Sequence, residues 1–397
     1  MPDSPRNMNV CFLLGSGASI PAGYPSVTKI TEEILSGKRL GEAHSPVSSG
    51  SSATDVVPFL RWLKTVADTR YAREIGRTTN YEDIYFLASQ IRDDLLGDFD
   101  NPAVKPPIEK VIVEFLLGHV NRSPKLDNLL EKLATDATDS IRRHVASSLA
   151  IAPKQLNHLD FVAEAIRDVG EGKIVLMTLN HDTLIESYLT AGNIRFIDGF
   201  SNAANSVKVR VWQPSSFADA DESVHLLKLH GGIDWYRFRP DGAEPWSEDY
   251  VGIPTPEFSS GQKDDQQRRH RELDQLPIFL IGTFNKLISY SDPVYLELYH
   301  QGFRTLGQVD ALVVIGCGFG DKGINKLVTE WIYRSPNRRL VVVDKYADTL
   351  WQSARGAISG KWHHLVKAKR LVPIQRDLKE NNLRWQEIAD VLRTPPR

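Results

Sequence analysis

Residues 9–30 read NVCFLLGSGASIPAGYPSVTKI, and the architecture turns on how the chain crosses this stretch. The apolar run Val10–Leu14 stops at Gly15, and small side chains follow, with Gly17, Pro21, Gly23 and Pro25 among them. A helical pattern resumes near Ser26. Glycine costs conformational entropy, so a strand that ends in a loop almost without side chains implies close approach to its backbone. A pyrophosphate at such a loop, favoured also by a helix amino terminus, is one reason. A purely conformational strand-to-helix turn is the other, and the loop taken alone leaves both open.

The same pattern recurs along the chain. Lys173–Leu179, Val224–Leu229, Ala311–Ile315 and Leu340–Val343 are further apolar runs that end in glycine, asparagine or aspartate, and Pro277–Ile281 is a sixth candidate. Runs that are β-branched and continuously apolar suit a parallel sheet covered on both faces. Helical patterns such as TKITEEIL, DTLIESYL and LVTEWIYR lie between several of them. This alternation predicts an α/β fold, Rossmann-like and doubly wound, with a mainly parallel sheet and ligands beyond the carboxyl ends of its strands.

Two regions interrupt the alternation. Residues 36–169 are mainly helical in character, with amphipathic stretches around Asp83–Leu96, Pro107–Gly118 and Lys125–Leu149. The expected organisation is therefore a sheet domain from 1–35 and 170–397, with 36–169 as a helical insertion. Within that insertion HSPVSSGSSATD reads as a Ser/Gly-rich loop. The second interruption, roughly Arg239–Gln275, is rich in Pro, Gly, Asp and Gln. A connection of that length is usually functional or disordered.

Composition excludes several classes. With 397 residues, 41% apolar and 25% charged, the chain is an ordinary globular sequence long enough to bury a large core. A formal net charge of -2 leaves no electrostatic footprint for nucleic acid or an anionic membrane. The pairs Arg268–Arg269 and Arg338–Arg339 are flanked by acids and read as solvated faces. The two cysteines, Cys11 and Cys317, lie in apparent buried strands or their edges, and they cannot form a zinc module. No apolar stretch approaches ~20 residues and no signal peptide opens the chain, so a cytoplasmic protein is expected.

The strand ends carry the candidate chemistry. Gly15, Gly17, Ala18 and Ser19 follow the first run, and Asn180 and Asp182 follow the second in TLNHD. Either of that pair serves as a helix cap, but a cap needs one residue and this position faces a ligand crevice. His230 ends the third run in KLHGG, where Gly231 and Gly232 would clear space around its ring. Gly316, Gly318 and Gly320 follow the fourth, with Asp321 and Asn325 close behind, and Asp344 ends the fifth. Asp344 either accepts from ribose hydroxyls or caps the next helix. Together these positions describe one dinucleotide-sized crevice that contains an Asn, an Asp and a His.

At these residues the chain resembles the sirtuin-like family. GSGASIPAGYP is similar to its glycine-rich NAD loop, with Gly15, Gly17, Ser19, Gly23 and Pro25 in register; TLNHD resembles its Thr-x-Asn-x-Asp segment, and LHGG its His-Gly. VVIGCGFGDKGIN resembles a later segment that closes around the nucleotide in the bacterial branch. The departures are as specific. Ser26 and Val27 stand where protein deacylases carry Asp-Phe-Arg, the four zinc cysteines are missing, and IGTFNKLISY replaces the peptide-holding Phe-Gly-Glu segment. NYEDIYFLASQ resembles an Asn-x-Glu-Asp-like element of the bacterial branch, although Thr79 and Glu82 equally suit a capping box.

The resemblance implies an NAD+ hydrolase of antiphage defence, without zinc, in which Asn180, His230 and Asp182 are catalytic. It implies that Gly15, Gly17, Ala18 and Ser19 cradle the phosphates of NAD+, that Gly23 and Pro25 belong to the same cofactor-binding loop, and that Gly316, Gly318 and Asp344 border the adenosine half. It further implies a homo-oligomer with a HerA-type ATPase partner, or alternatively an Argonaute-type partner. A nucleotide-sensing subunit with little turnover, and a deacylase or ADP-ribosyltransferase, are the competing readings.

Overall fold

A computed structural model describes residues 8–37, 53–70, 77–98, 103–117, 124–201, 206–219, 222–244, 249–281, 292–379 and 382–393. The Ser/Gly-rich loop, up to residue 52, and residues 282–290 of IGTFNKLISY lie outside them. The chain divides into two compact units, one drawn from Met1–Tyr24, Leu149–Leu280 and Tyr290–Arg397, the other from Pro25–Ser148 and Ile281–Ser289. The helix Val27–Ser36 thus belongs to the second unit and the helix Asp160–Val169 to the first, so both boundaries differ from the expected 35 and 170.

The first unit is built on a six-stranded, wholly parallel sheet. Its strands are β1 (Val10–Leu14), β2 (Ile174–Thr178), β4 (Val224–Lys228), β8 (Ala311–Ile315), β9 (Arg339–Asp344) and β10 (Leu371–Gln375), and β3, β5, β6 and β7 form the smaller sheet described below. Their order is β10-β9-β8-β1-β2-β4. Chain order therefore reverses between β1 and β8, the switch point where ligands of doubly wound folds sit.

Every residue of β1, β2, β4 and β8 is buried, which is why their sequences are apolar on both faces instead of alternating, apart from Thr178, His225 and Lys228. Cys11 and Leu13 point into a core shared with Trp331 and Ile332 of the helix Lys322–Tyr333 and with Trp362 and Leu365. Phe12 points the other way, 5.3 Å from the Phe161 ring and 6.0 Å from Trp385. Each such large side chain contributes roughly 1.5–3 kcal/mol by burial. The pair Arg338–Arg339 is not a solvated face: Arg339 is buried on β9 and donates to the Val391 carbonyl, and Arg338 donates to Trp331 and Gly307 carbonyls.

The sixth strand is not Pro277–Ile281. That segment makes one isolated antiparallel bridge, Phe279 with Gly231, and the place in the sheet goes to Leu371–Gln375. Pro373 sits inside β10, which pairs with β9 alone, and an edge strand tolerates the missing N–H. The segment expected as a long loop, 239–275, instead supplies most of a four-stranded antiparallel sheet. Its strands are β3 (Val209–Val211), β5 (Tyr236–Pro240), β6 (Tyr250–Pro254) and β7 (His270–Glu272), in the order β3-β6-β5-β7.

The second unit is helical, with helices Val27–Ser36, Ala53–Arg70, Tyr81–Leu96, Lys105–Leu117 and Pro124–Leu149. The Tyr81 helix begins with a capping box one residue away from the expected one. Asn80 accepts from the Glu82 amide, and Asp83 accepts from the Asn80 amide at 2.8 Å. No helix among the described residues is long and apolar enough to cross a membrane.

Candidate active site

The parallel register makes one edge of the large sheet flush. Leu14 pairs with Thr178 and Ile315, Thr178 with Lys228, and Ile315 with Val343. The residues just past these positions, Gly15, Leu179, Leu229, Gly316 and Asp344, therefore start a common shelf. Asn180 and His230 each stand two residues beyond the register partners Thr178 and Lys228, on the loops that leave adjacent strands.

The glycines on this shelf do two different jobs. A Cβ on Gly15 would lie 2.6 Å from the Gly316 carbonyl oxygen, and one on Gly17 would lie 2.8 Å from the Gly316 Cα. Gly316 has φ +60, and a Cβ there would meet the Ala18 nitrogen at 2.5 Å. These three residues let the loops after β1 and β8 pack backbone on backbone at the switch point. The amides nearby serve the same contact and a following 3-10 turn: Gly15 donates to Ile315, Gly17 to Gly316, Ala18 to Gly15 and Ser19 to Ser16. The bareness of the opening loop is thus explained first by loop-on-loop packing. Gly318 and Gly320 differ, because neither has positive φ and an added Cβ meets nothing within 4 Å among the described residues. Neither backbone strain nor internal packing demands glycine there.

A chain of polar bonds runs inward from Asn180. Its Nδ2 donates to the Gly15 carbonyl at 2.9 Å and to Ser19 Oγ at 3.0 Å. Ser19 Oγ donates to Asp182 Oδ2 at 2.7 Å, and Asp182 Oδ1 accepts from the Leu184 amide. Asn180 has two amide hydrogens and both are used, which leaves Oδ1 as the atom it can offer, an acceptor. Asp182 is buried and turned into the protein; burial pushes its carboxyl up, opposed by the charge of Lys228 and the bond from Ser19. His158, on a segment that the sequence reading passed over, is fully buried and holds the Ala18 carbonyl at 3.0 Å. Burial lowers its pKa.

His230 meets Asp321, a residue named at the strand ends but given no role by sequence reading. The His230 Nε2 lies 3.2 Å from Asp321 Oδ2, with both side chains largely buried. The other oxygen, Oδ1, accepts from the Gly323 and Ile324 amides and caps the helix Lys322–Tyr333. To reach His230 from the end of β8, residues 315–321 cross three inter-strand steps, about 14 Å. That crossing carries Gly318 and Gly320. It also carries Phe319, a buried non-glycine residue at φ 53, whose carbonyl accepts from Asn325 Nδ2 and the Arg355 amide. A bulky residue held in the left-handed region costs about 1–3 kcal/mol and persists only where its surroundings over-determine it. Asn325 is thus a structural clamp that also donates to the Arg355 carbonyl.

Gly231 and Gly232 do not clear room around the imidazole. A Cβ on Gly231, at φ +75, would lie 2.4 Å from the Ile278 carbonyl oxygen, and one on Gly232 would lie 2.6 Å from Asp234 Oδ1. They fit the His230 loop against its neighbours. His181, between Asn180 and Asp182, packs on Phe279 with ring centroids 4.7 Å apart.

The remaining candidates are Gly23, Pro25 and Asp344. Gly23 has φ +92 and fits against the Lys154 stem, and Pro25 opens the second unit. Asp344 ends β9, four inter-strand steps from β4, roughly 19 Å along the shelf. Its Oδ1 accepts from the Tyr346 amide in a local turn, and burial pushes its carboxyl up, with Asp377 adding to the effect. Among the described residues no group of three or more His, Cys, Asp or Glu could hold a metal ion.

No protein-family model matches the chain, and no curated protein does. Solved structures similar to it include a mutant Sir2 homologue in complex with ADP-ribose, 11% identical, with a TM-score of 0.40 over 98% of this chain and 93% of that one. A Sir2 homologue in complex with NAD is also 11% identical, with a TM-score of 0.38 over 98% of this chain and 90% of the other. A third, from work on the mechanism and regulation of Sir2 enzymes, is 10% identical at a TM-score of 0.39, covering 98% and 93%.

Proposed function

We propose that this chain is an NAD+ glycohydrolase that releases nicotinamide and ADP-ribose, with Asn180 and His230 at its centre. The observation that carries the reading is their delivery from register-equivalent positions of adjacent strands, beneath a glycine-bearing crossing that ends at Asp321. Gly318 and Gly320, where neither strain nor packing calls for glycine, suit a ligand brought against that crossing. Because the amides of Gly15, Gly17, Ala18 and Ser19 already donate within the protein, their loop would act as a wall for the pyrophosphate more than as a donor cradle.

The chemistry asks little of a general acid. The bond between the ribose anomeric carbon and the ring nitrogen breaks with its electron pair going to nicotinamide, which leaves neutral. Water adds to the oxocarbenium-like centre and loses one proton. Asn180 Oδ1, an acceptor held rigid by two donated bonds, suits orientation of that water or of a ribose hydroxyl. His230, paired with Asp321, suits contact with the ribose hydroxyls and uptake of the proton, a role typically worth ~10²–10⁴-fold. Asp182, turned inward, holds the Asn180 segment through Ser19.

Unrestrained turnover would drain NAD+, so the reading includes control by a partner. The bacterial branch that the sequence resembles suggests a role in antiphage defence, as a homo-oligomer working with a HerA-type ATPase, or alternatively an Argonaute-type protein. Labelled NAD+ with product analysis tests the activity. Release of nicotinamide and ADP-ribose without any acceptor is expected. Release only with an acyl-lysine peptide or a protein acceptor would replace this reading with a deacylase or transferase.

A further inference from the structure

Lys228 is the last residue of β4 and is 3% exposed, an unusual place for an ammonium. Its Nζ donates to the Asp182 backbone carbonyl at 2.6 Å and to Glu186 Oε1, in the first turn of the helix Leu184–Ala191, at 2.7 Å. A Cβ on Gly232 would lie 3.1 Å from Lys228 Cε and 2.6 Å from Asp234 Oδ1, so the loop carrying His230 folds over the lysine stem. Burial pulls Lys228 down, but Glu186, Asp234 and Asp182 together outweigh it and push it up to about 12. One ammonium therefore touches or faces three elements: the segment with Asn180 and Asp182, the helix after it, and the His230 loop.

Beyond Thr178 and Lys228 the β2–β4 ladder has ended. Backbone bonds from Leu229 to Thr178 and from Ile233 to His181 continue the contact, and Lys228 adds a side-chain tie between them. Without the ammonium, Glu186 Oε2 and Asp234 Oδ1, both buried without a hydrogen-bond partner among the described residues, would face each other's charge unscreened. We propose that Lys228 is the positioning residue of this site: by tying the Asp182 carbonyl to Glu186 beneath the His230 loop, it sets the placement of Asn180 relative to His230. Lys228 does not contact the reacting atoms, and it acts through the two residues that do.

The kinetic test rests on the NAD+ hydrolase reading, and the second test does not. In the full chain, with whatever partner the wild type requires, Lys228→Met is expected to lower kcat on the order of 100-fold, the cost of a misplacement near 1 Å, with KM for NAD+ within threefold. Lys228→Arg, which keeps the charge, should recover at least tenfold of that loss. Unchanged kcat in Lys228→Met, or activity lost only in proportion to unfolded protein, would overturn the proposal. Should Lys228→Met not fold, Glu186→Gln, which weakens one end of the tie, is expected to lower kcat about tenfold at unchanged KM, and full activity there would overturn it equally. Should the wild type release no nicotinamide under any condition, the hydrolase reading fails and hydrogen exchange decides on Lys228. Lost protection confined to residues 179–184 and 229–234 in Lys228→Met, or in Glu186→Gln where Lys228→Met does not fold, with protection restored in Lys228→Arg, supports positioning. Unchanged protection, or uniform loss across β2 and β4, rejects it.

Discussion

Among the described residues of the first unit are two histidine–carboxylate pairs, at 3.2 Å for His230 and Asp321 and 3.0 Å for His270 and Asp264, and their surroundings differ. Around His270 the bonds close locally. Tyr250 Oη lies 2.6 Å from Nδ1, and Asp264 accepts from the Gln266 and Arg268 amides, the Arg268 side chain and His270. The bond from His270 holds the Asp264 carboxyl well below the usual range, and burial pushes the Tyr250 phenol up. This pair fastens one loop of the antiparallel sheet. Around His230, the carboxylate comes from the far side of the switch point, on a crossing with a strained Phe319, and it meets a histidine at a position register-equivalent to that of Asn180 on the adjacent strand. The contrast teaches that residue type says little. Under the proposed function, what separates a fastening from a reactive pair is whether its partners come from neighbouring strands and their loop or converge from distant strand ends.

The widest gap should appear in turnover. Asn180→Ala and His230→Ala are each expected to lower nicotinamide release by about 10²–10⁴-fold, whereas His270→Ala leaves it within about twofold and lowers the unfolding midpoint. A large kinetic effect at His270 would erase the distinction. Asp321→Asn comes next, with kcat reduced about 10–100-fold at nearly constant KM. Asp264→Asn should move thermal stability and not kcat, as a melting curve and a progress curve on the same sample will show.

The glycines sharpen the comparison at smaller scale. Gly316→Ala meets backbone at 2.5 Å from positive φ and should cost about 2–4 kcal/mol in denaturant unfolding. Gly318→Ala meets nothing within 4 Å and should stay within about 0.5 kcal/mol, yet weaken NAD+ binding by calorimetry. Smallest is a pH effect. Burial, with Asp234 adding, pushes Glu186 from the usual 4.5 up to about 7. The folded state then holds a proton that the unfolded chain has lost, so stability falls as pH rises from about 4.5 to about 7. Glu186→Gln should flatten this by roughly 1–3 kcal/mol when unfolding is followed across that window.

Much of the large sheet was legible because its fully buried strands read as largely apolar runs, and Val10–Leu14 and Ala311–Ile315 form over the residues expected. β10 was not, since Pro373 marks a break unless the strand is known to lie at an edge. The antiparallel sheet escaped notice because short strands such as Val209–Val211 and His270–Glu272 carry little pattern of their own. At the site, the strand-end positions of Asn180, Asp182 and His230 were readable from local sequence. The pairing of His230 with Asp321, ninety-one positions later, was not, because it depends on the crossing between β8 and β4. The readable signal was the aspartate before KGIN, a helix-cap position that here does a second task. Nor does local sequence reveal that Gly15 and Gly17 are answered by Gly316.

The most direct measurement is nicotinamide release from labelled NAD+ by the purified chain, alone and with a HerA-type ATPase, in wild type, Asn180→Ala, His230→Ala and His270→Ala. Acceptor-independent release that survives only in wild type and His270→Ala is the predicted result. NAD+ that binds without release under every condition, or release that persists in Asn180→Ala and His230→Ala, would contradict the assignment of hydrolysis to this strand-end site.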